Sequence, residues 1–231
     1  MAESIFYVVE VALPDRDLPE FADWYAAVHA PHLFQAGFSN CTSYLATSGG
    51  LSVVDIYQAP DWSMFEAPAF ARYREIVFSE PYRPAVLAGI ENTRTVYHHH
   101  RATPLPSRDA AAPLDADWVC IWRLDGDAGL EELIAGWIAA GGALALGAAQ
   151  VRLLHRGPDA PTGASTRPPL ALVTEWAARP PAGDALLAVL PDWLRDRVDP
   201  ARGFTGFRLY PWANDRALQA EVARHVAAAG V

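Results

Sequence analysis

The chain has 231 residues, 52% of them hydrophobic, with eight tryptophans, a formal net charge of −9 and a pI near 5.2. That is enough apolar material for one large or two small cores, and an acidic balance without any basic run offers no footprint for a phosphate backbone, so nucleic acid is not an expected partner. All 18 basic residues are arginine, which removes lysine Schiff-base chemistry, pyridoxal-phosphate attachment and a P-loop.

Residues 5–12 are apolar and β-branched except at Glu10, and no cationic stretch precedes them, so they predict a strand and not a signal peptide. Pro14 and Asp15 make a turn. Residues 18–30 predict a helix: at 100° per residue Leu18, Phe21, Ala22, Tyr25 and Val28 share one arc, and His29 falls inside it. Pro31 would clash with the carbonyl four residues back, which predicts a helix end near Ala30 and His29 in the last turn. There the helix end favours imidazolium while apolar surroundings favour the neutral ring, so His29 is expected to titrate near neutrality. Gly37 opens a second strand through Tyr44 and Leu45, Ser48-Gly49-Gly50 signals a hairpin, and residues 51–57 read as a third strand. Residues 62–87 are helical material broken at Pro68, Pro81 and Pro84, and residues 93–100 read as a fourth strand. The order is βαββαβ, the ferredoxin-like order.

Residues 103–116 have linker composition, and beyond them the order repeats: strand 118–124, helix 130–140, strand 144–155, strand 170–176, helix 184–197 with a break at Pro191, strand 204–210. The chain thus reads as α+β, with a first ferredoxin-like repeat over 1–102 and a second over 117–231 that includes a terminal helix at 215–229. Residues 18–29 lie over 130–141 at a shift of 112, and 55–60 over 175–180 at a shift of 120. His29 then meets Gly141, and this asymmetry suggests that the first repeat kept a site and the second kept scaffold. Cys41 and Cys120 read as small buried residues. No apolar stretch has the length of a bilayer span, and a cytoplasmic protein of bacterial-type metabolism is expected.

Trp24-Tyr25 through His29-Ala30-Pro31, then Gly37-Phe38, Tyr44 and Val54-Asp55-Ile56-Tyr57, resembles the dimeric α/β-barrel superfamily, closest to its EthD-like branch. The resemblance covers about residues 4–101; Ala36, Val28 and Asp55 depart from the residues usual there. It implies two ferredoxin-like sheets facing each other as a barrel, here within one chain, as a monomeric pseudo-dimer or a homodimer. It also implies a pocket between sheet and helices. Members include polyketide cyclases, lactone isomerases, cofactor-free oxygenases, haem peroxidases and haem-degrading enzymes.

From these residues the expected function is a cofactor-independent acid/base enzyme, a cyclase, isomerase or lyase, acting on a small hydrophobic, aromatic or polyketide-like carbonyl metabolite. His29 would be the base, Tyr25 or Tyr44 would polarise the substrate oxygen, and Asp55 or Glu10 would orient the imidazole. Phe21, Trp24, His32, Phe38, Glu10, His98 and His100 would line the site. The plain alternative for His29 is a core histidine bonded to a carbonyl or carboxylate. Glu175, at the Asp55 position of the second repeat, has Arg123 as its expected ion partner. His98 and His100 have the spacing of a two-histidine metal grip, with His29 or Asp55 as a conceivable third ligand, but read first as the polar end of a strand, and no metal site is predicted. Two alternatives stay open: an oxygenase or haem- or metal-dependent oxidoreductase on the same scaffold, and a non-catalytic small-ligand-binding protein.

Overall fold

The computed structural model describes residues 4–48, 52–100, 112–159, 161, 163–199 and 202–210. The strands are β1 (Ile5–Val11), β2 (Asn40–Ser48), β3 (Val53–Ala59), β4 (Asn92–His99), β5 (Trp118–Leu124), β6 (Gln150–Arg156), β7 (Leu170–Trp176) and β8 (Phe204–Tyr210). They close into an antiparallel barrel in the order β1-β3-β2-β8-β5-β7-β6-β4. The first four strands run 4-1-3-2 and the last four 8-5-7-6, with β2 on β8 and β4 on β6 closing the ring. Among the described strands, closure leaves no sheet edge to be templated by another chain. Among the described residues no helix is long and apolar enough to cross a membrane.

Successive side chains alternate between the barrel interior and the helical cover. Phe6, Val8, Tyr44, Ile56, Ile121 and Phe204 fill the interior, while Tyr7, Tyr57, Leu45 and Val96 join the larger core under the helices. Charges also lie inside. Glu10 pairs with Arg123 and, at 2.7 Å, with Arg167, and Arg152 Nε donates to Glu175 at 2.5 Å. Leu114, fully buried, is tucked into this interior. Its N–H donates to Gln58 Oε1 at 2.6 Å, and the Tyr44 hydroxyl donates to the Ala116 carbonyl at 2.9 Å.

The cover of the first four strands is α1 (Leu18–Trp24), a π turn (Tyr25–His29), α2 (Ala30–Ala36), α3 (Ser63–Glu66) and α4 (Pro68–Ile76). Over the last four lie α5 (Ala128–Ala139), α6 (Gly183–Ala188) and α7 (Asp192–Arg195), the last two separated at the expected Pro191 break. Asp127 caps α5 by accepting from the Leu130 N–H at 3.1 Å.

Several expectations are corrected here. The helix does not end at Pro31: it widens into the π turn, where the Ala30 N–H reaches the Tyr25 carbonyl, and continues to Ala36. The extra residue in that turn takes up the misfit that proline would otherwise force on the carbonyl behind it. Gly37, at φ 113°, provides the left-handed stop. The strand expected from residue 144 begins at Gln150, because a 3₁₀ segment, Gly142–Leu146, followed by Gly147 at φ 75°, occupies its start. Glu175 pairs with Arg152 and not with Arg123. The shift of 120 also matched opposite faces, since Glu175 points into the barrel and Asp55 toward the helices, a one-residue slip in register. Gly49, Gly50, residues 103–111 of the expected linker and the expected helix at 215–229 lie outside the described residues.

Candidate functional site

Between the outer face of β1, β3 and β4 and the α1–α4 cover lies a cavity of about 610 Å³. That is within the size range of small-molecule and cofactor sites, roughly 300–1,000 Å³. Its walls include Phe21, Trp24, Tyr57 and Phe70, and His29 is the histidine that lines it. The π turn sets that imidazole against the Trp24 ring, centroids 4.4 Å apart and nearly parallel. Single-turn π bulges recur at functional positions because they rotate one side chain out of the regular helical phase.

Glu80 orients His29. His29 Nδ1 donates to Glu80 Oε2 at 2.9 Å, and His32 Nδ1 donates to Oε1 at 2.8 Å. Burial lowers the His29 pKa, and the hydrogen bond and charge of Glu80 only partly offset it, so the ring is neutral at pH 7. Burial pushes the Glu80 carboxyl up, but the bonds and charges of His29 and His32 together hold it below its ordinary value. An ionised carboxylate can only accept, so the neutral ring carries its proton on Nδ1 and keeps the lone pair on Nε2. The opposing influence expected from a helix end is absent here: the partner is a carboxylate from a loop, and His29 sits mid-helix.

Asp55 lines the same cavity. Tyr57 donates to its Oδ2 at 3.2 Å, and Ser43 faces it from β2. Burial pushes the Asp55 carboxyl up to about 7. The unfolded chain ionises near pH 4, so the native state holds the extra proton between about pH 4 and 7, and stability falls as pH rises through that window. Asp55→Asn is therefore expected to raise the melting temperature by several degrees at pH 8 and to match the parent near pH 4. Melts across that range that stay parallel would refute the assignment.

The remaining expected site residues divide clearly. Phe21 and Trp24 line the cavity. Tyr25 packs 5.5 Å from the His29 ring but behind the wall, its pKa raised by burial, and Phe38 stacks on Tyr7 in the same core. His32 reaches the site only through Glu80. Tyr44 and Glu10 are corrected: both project into the barrel interior, on the far side of the sheet, so neither can polarise a substrate here nor orient His29. Asp55 does not orient His29 either; Glu80 does. His98 stacks between Trp62 and His155, and His100 lies 3.9 Å from Glu131, so neither joins His29 or Asp55. Among the described residues no three potential metal ligands of the His, Cys, Asp and Glu types are gathered.

No protein-family model and no curated protein matches this sequence. Solved structures do match its fold, the mixed α+β fold of the dimeric α/β-barrel proteins with a closed eight-stranded barrel. One assigned as a chlorite dismutase aligns over 97% of this chain and 99% of its own, at TM-score 0.58 and 11% identity. Another, assigned as a monooxygenase of Lactobacillus acidophilus, aligns over 90% and 94%, at TM-score 0.51 and 10% identity. A protein of Thermus thermophilus described as a novel heme-binding protein aligns over 96% of both chains, at TM-score 0.45 and 13% identity. At such identities the likeness carries the fold alone. The expectation of no cofactor is nonetheless corrected by the neighbours aligned at TM-scores above 0.5, whose names are those of a chlorite dismutase and a monooxygenase.

Proposed function

We propose that this protein is an oxidoreductase of the oxygenase or peroxidase kind, acting on a small apolar, aromatic-sized metabolite in the cavity beside His29, with haem as its cofactor. One observation carries the reading: a neutral, cavity-lining imidazole whose Nδ1–H is fixed by a buried carboxylate, leaving the Nε2 lone pair available to ligate a metal. A carboxylate on the far nitrogen is the usual way a protein orients a metal-bound histidine and raises its basicity. The residues present fit the group in donor type and in space, and the names of the fold's neighbours point the same way. Haem, when bound, supplies one-electron and oxygen chemistry.

The chain's own residues do the rest. Glu80 fixes the tautomer and direction of His29, and Trp24 holds the ring plane. Phe21, Phe70 and Tyr57 exclude water and seat an aromatic body. Asp55 keeps a proton near neutrality on a carboxyl lining the cavity, suited to passing it to or from a substrate oxygen. The two halves are read as tandem ferredoxin-like repeats, 1–102 and 117–231, the first EthD-like, an assignment supported by the equivalent strand orders 4-1-3-2 and 8-5-7-6.

Titration of the purified protein with haemin is the test. One equivalent should be taken up with a shift of the main absorption band, and His29→Ala should lose the shifted band and regain it with added imidazole. No uptake, or an unchanged spectrum in His29→Ala, rejects the haem assignment.

A further inference from the structure

The cavity holds three arginines that the proposed chemistry does not use. Arg74 stands in the last turn of α4, Arg83 three residues after Glu80, and Arg94 on the outer face of β4; all three line the cavity. None forms an ion pair or a hydrogen bond to a carboxylate among the described residues; Arg83 makes only a face contact with the Phe78 ring, 5.7 Å from its centroid. A shortage of acids does not explain this, since the chain carries 27 acidic residues against 18 basic. Five arginines elsewhere are matched, Arg123 and Arg167 with Glu10, Arg152 with Glu175, Arg208 with Asp117 and Arg202 with Asp125. Of the two acids lining the cavity, Asp55 is held about half neutral at pH 7 by burial, and Glu75 is in no ion pair among the described residues.

The geometry points to an anion subsite: Arg74, Arg83 and Arg94 receive a carboxylate carried by an otherwise apolar, aromatic-sized ligand of the His29 cavity. Arg74 is exposed and the other two are half-buried, so they stand where the cavity meets solvent, while the aromatic walls lie further in. Unpaired guanidinium groups are tolerated at such a rim because water still reaches them, and a planar carboxylate suits their paired donors. Arg83 and His29 line the same cavity of about 610 Å³, which puts the anion end and the imidazole within one ligand's length. The inference rests on the cavity assigned above and deepens it by naming the ligand class. The carboxylate could belong to a substrate or to the haem edge.

Two probe pairs separate these sources. Calorimetry with 2-naphthoate and its neutral isostere 2-naphthamide should show the acid binding about tenfold or more tighter, with added salt weakening only the acid. In Arg83→Gln/Arg94→Gln the acid should fall to within about twofold of the amide, the amide being unchanged, whereas Arg72→Gln, on α4 but outside the cavity, should behave as the parent. Haemin against haemin dimethyl ester then identifies the source: a loss in the double variant for haemin as well as naphthoate, with the ester unchanged, assigns the arginines to the haem edge, and a loss for naphthoate with haemin unchanged assigns them to substrate. Equal affinity for acid and amide, binding of neither, or discrimination surviving in a double variant that melts like the parent would overturn the subsite. Failure of haem uptake with naphthoate selectivity intact would reject the cofactor assignment and leave the subsite standing.

Discussion

Glutamine in place of Glu80 is expected to weaken haem uptake and turnover by about 10- to 100-fold while leaving the fold in place, the usual cost of losing the group that orients a liganding histidine. The isosteric amide can still accept from His29 Nδ1–H, so the ring is not left with an unsatisfied buried donor; what is lost is the negative charge. Without it Nε2 is less basic, and the charge that helps the hydrogen bond raise the His29 pKa against burial is gone. Glu80→Ala should do more. Two charge-assisted bonds, each worth about 1.5–3 kcal/mol, tie Glu80 to His29 and His32. Its neighbours Phe78 and Tyr82 are 73% and 86% exposed, so they contribute little burial to hold the segment in place. The alanine variant should therefore lose order in residues 77–84 as well as function, seen as faster amide exchange there. Haemin titrations, turnover and melts of both variants decide the matter; Glu80→Gln within about twofold of the parent would remove Glu80 from the site. The depressed His29 pKa adds a pH signature: ligation by Nε2 should persist below pH 6.5, the ordinary imidazole pKa, where a solvated histidine would be losing its lone pair.

The histidine was legible in the sequence and its partner was not. His29 announced itself because a 3.6-residue period leaves a polar residue conspicuous on an apolar arc, and the structure buries it on that arc. The π turn has no comparable signal: Pro31 reads equally well as a stop or as a bulge, and tertiary packing decides. Glu80 lies between short irregular segments, where no period assigns a direction, and reaches His29 across 51 positions. Glu10 and Tyr44 were misplaced for another reason. In a closed barrel covered by helices both faces of a strand are buried, so β3, β5 and β7 are buried at every position and apolar alternation does not say which face is the site. The strands themselves were plain, because β-branched runs between Gly, Pro and Asp punctuation carry that information locally.

The same two-sided burial makes the interior charges the most sensitive part of the scaffold, and Arg152→Met is expected to destabilise the protein by about 3–5 kcal/mol, lowering its melting temperature on the order of 10 °C. Arg152 has no exposed surface and Glu175 is 2% exposed, so water cannot take over when the guanidinium is removed. The arginine does more than pair. Its guanidinium lies 5.4 Å over the Phe6 ring and reaches the Pro113 carbonyl at 3.5 Å, joining β6 to β1 and to the segment that seats Leu114 inside the barrel. Most of the loss should come from the carboxylate left behind, since removing one partner strands a buried charge whereas replacing both with apolar groups can be nearly neutral. Arg152→Met/Glu175→Leu should therefore melt well above Arg152→Met alone and approach the parent. If the single variant melts within about 2 °C of the parent, the pair contributes no net stability. If the double variant is as unstable as the single, the arginine acts through Phe6 and Pro113 and not through its pairing with Glu175.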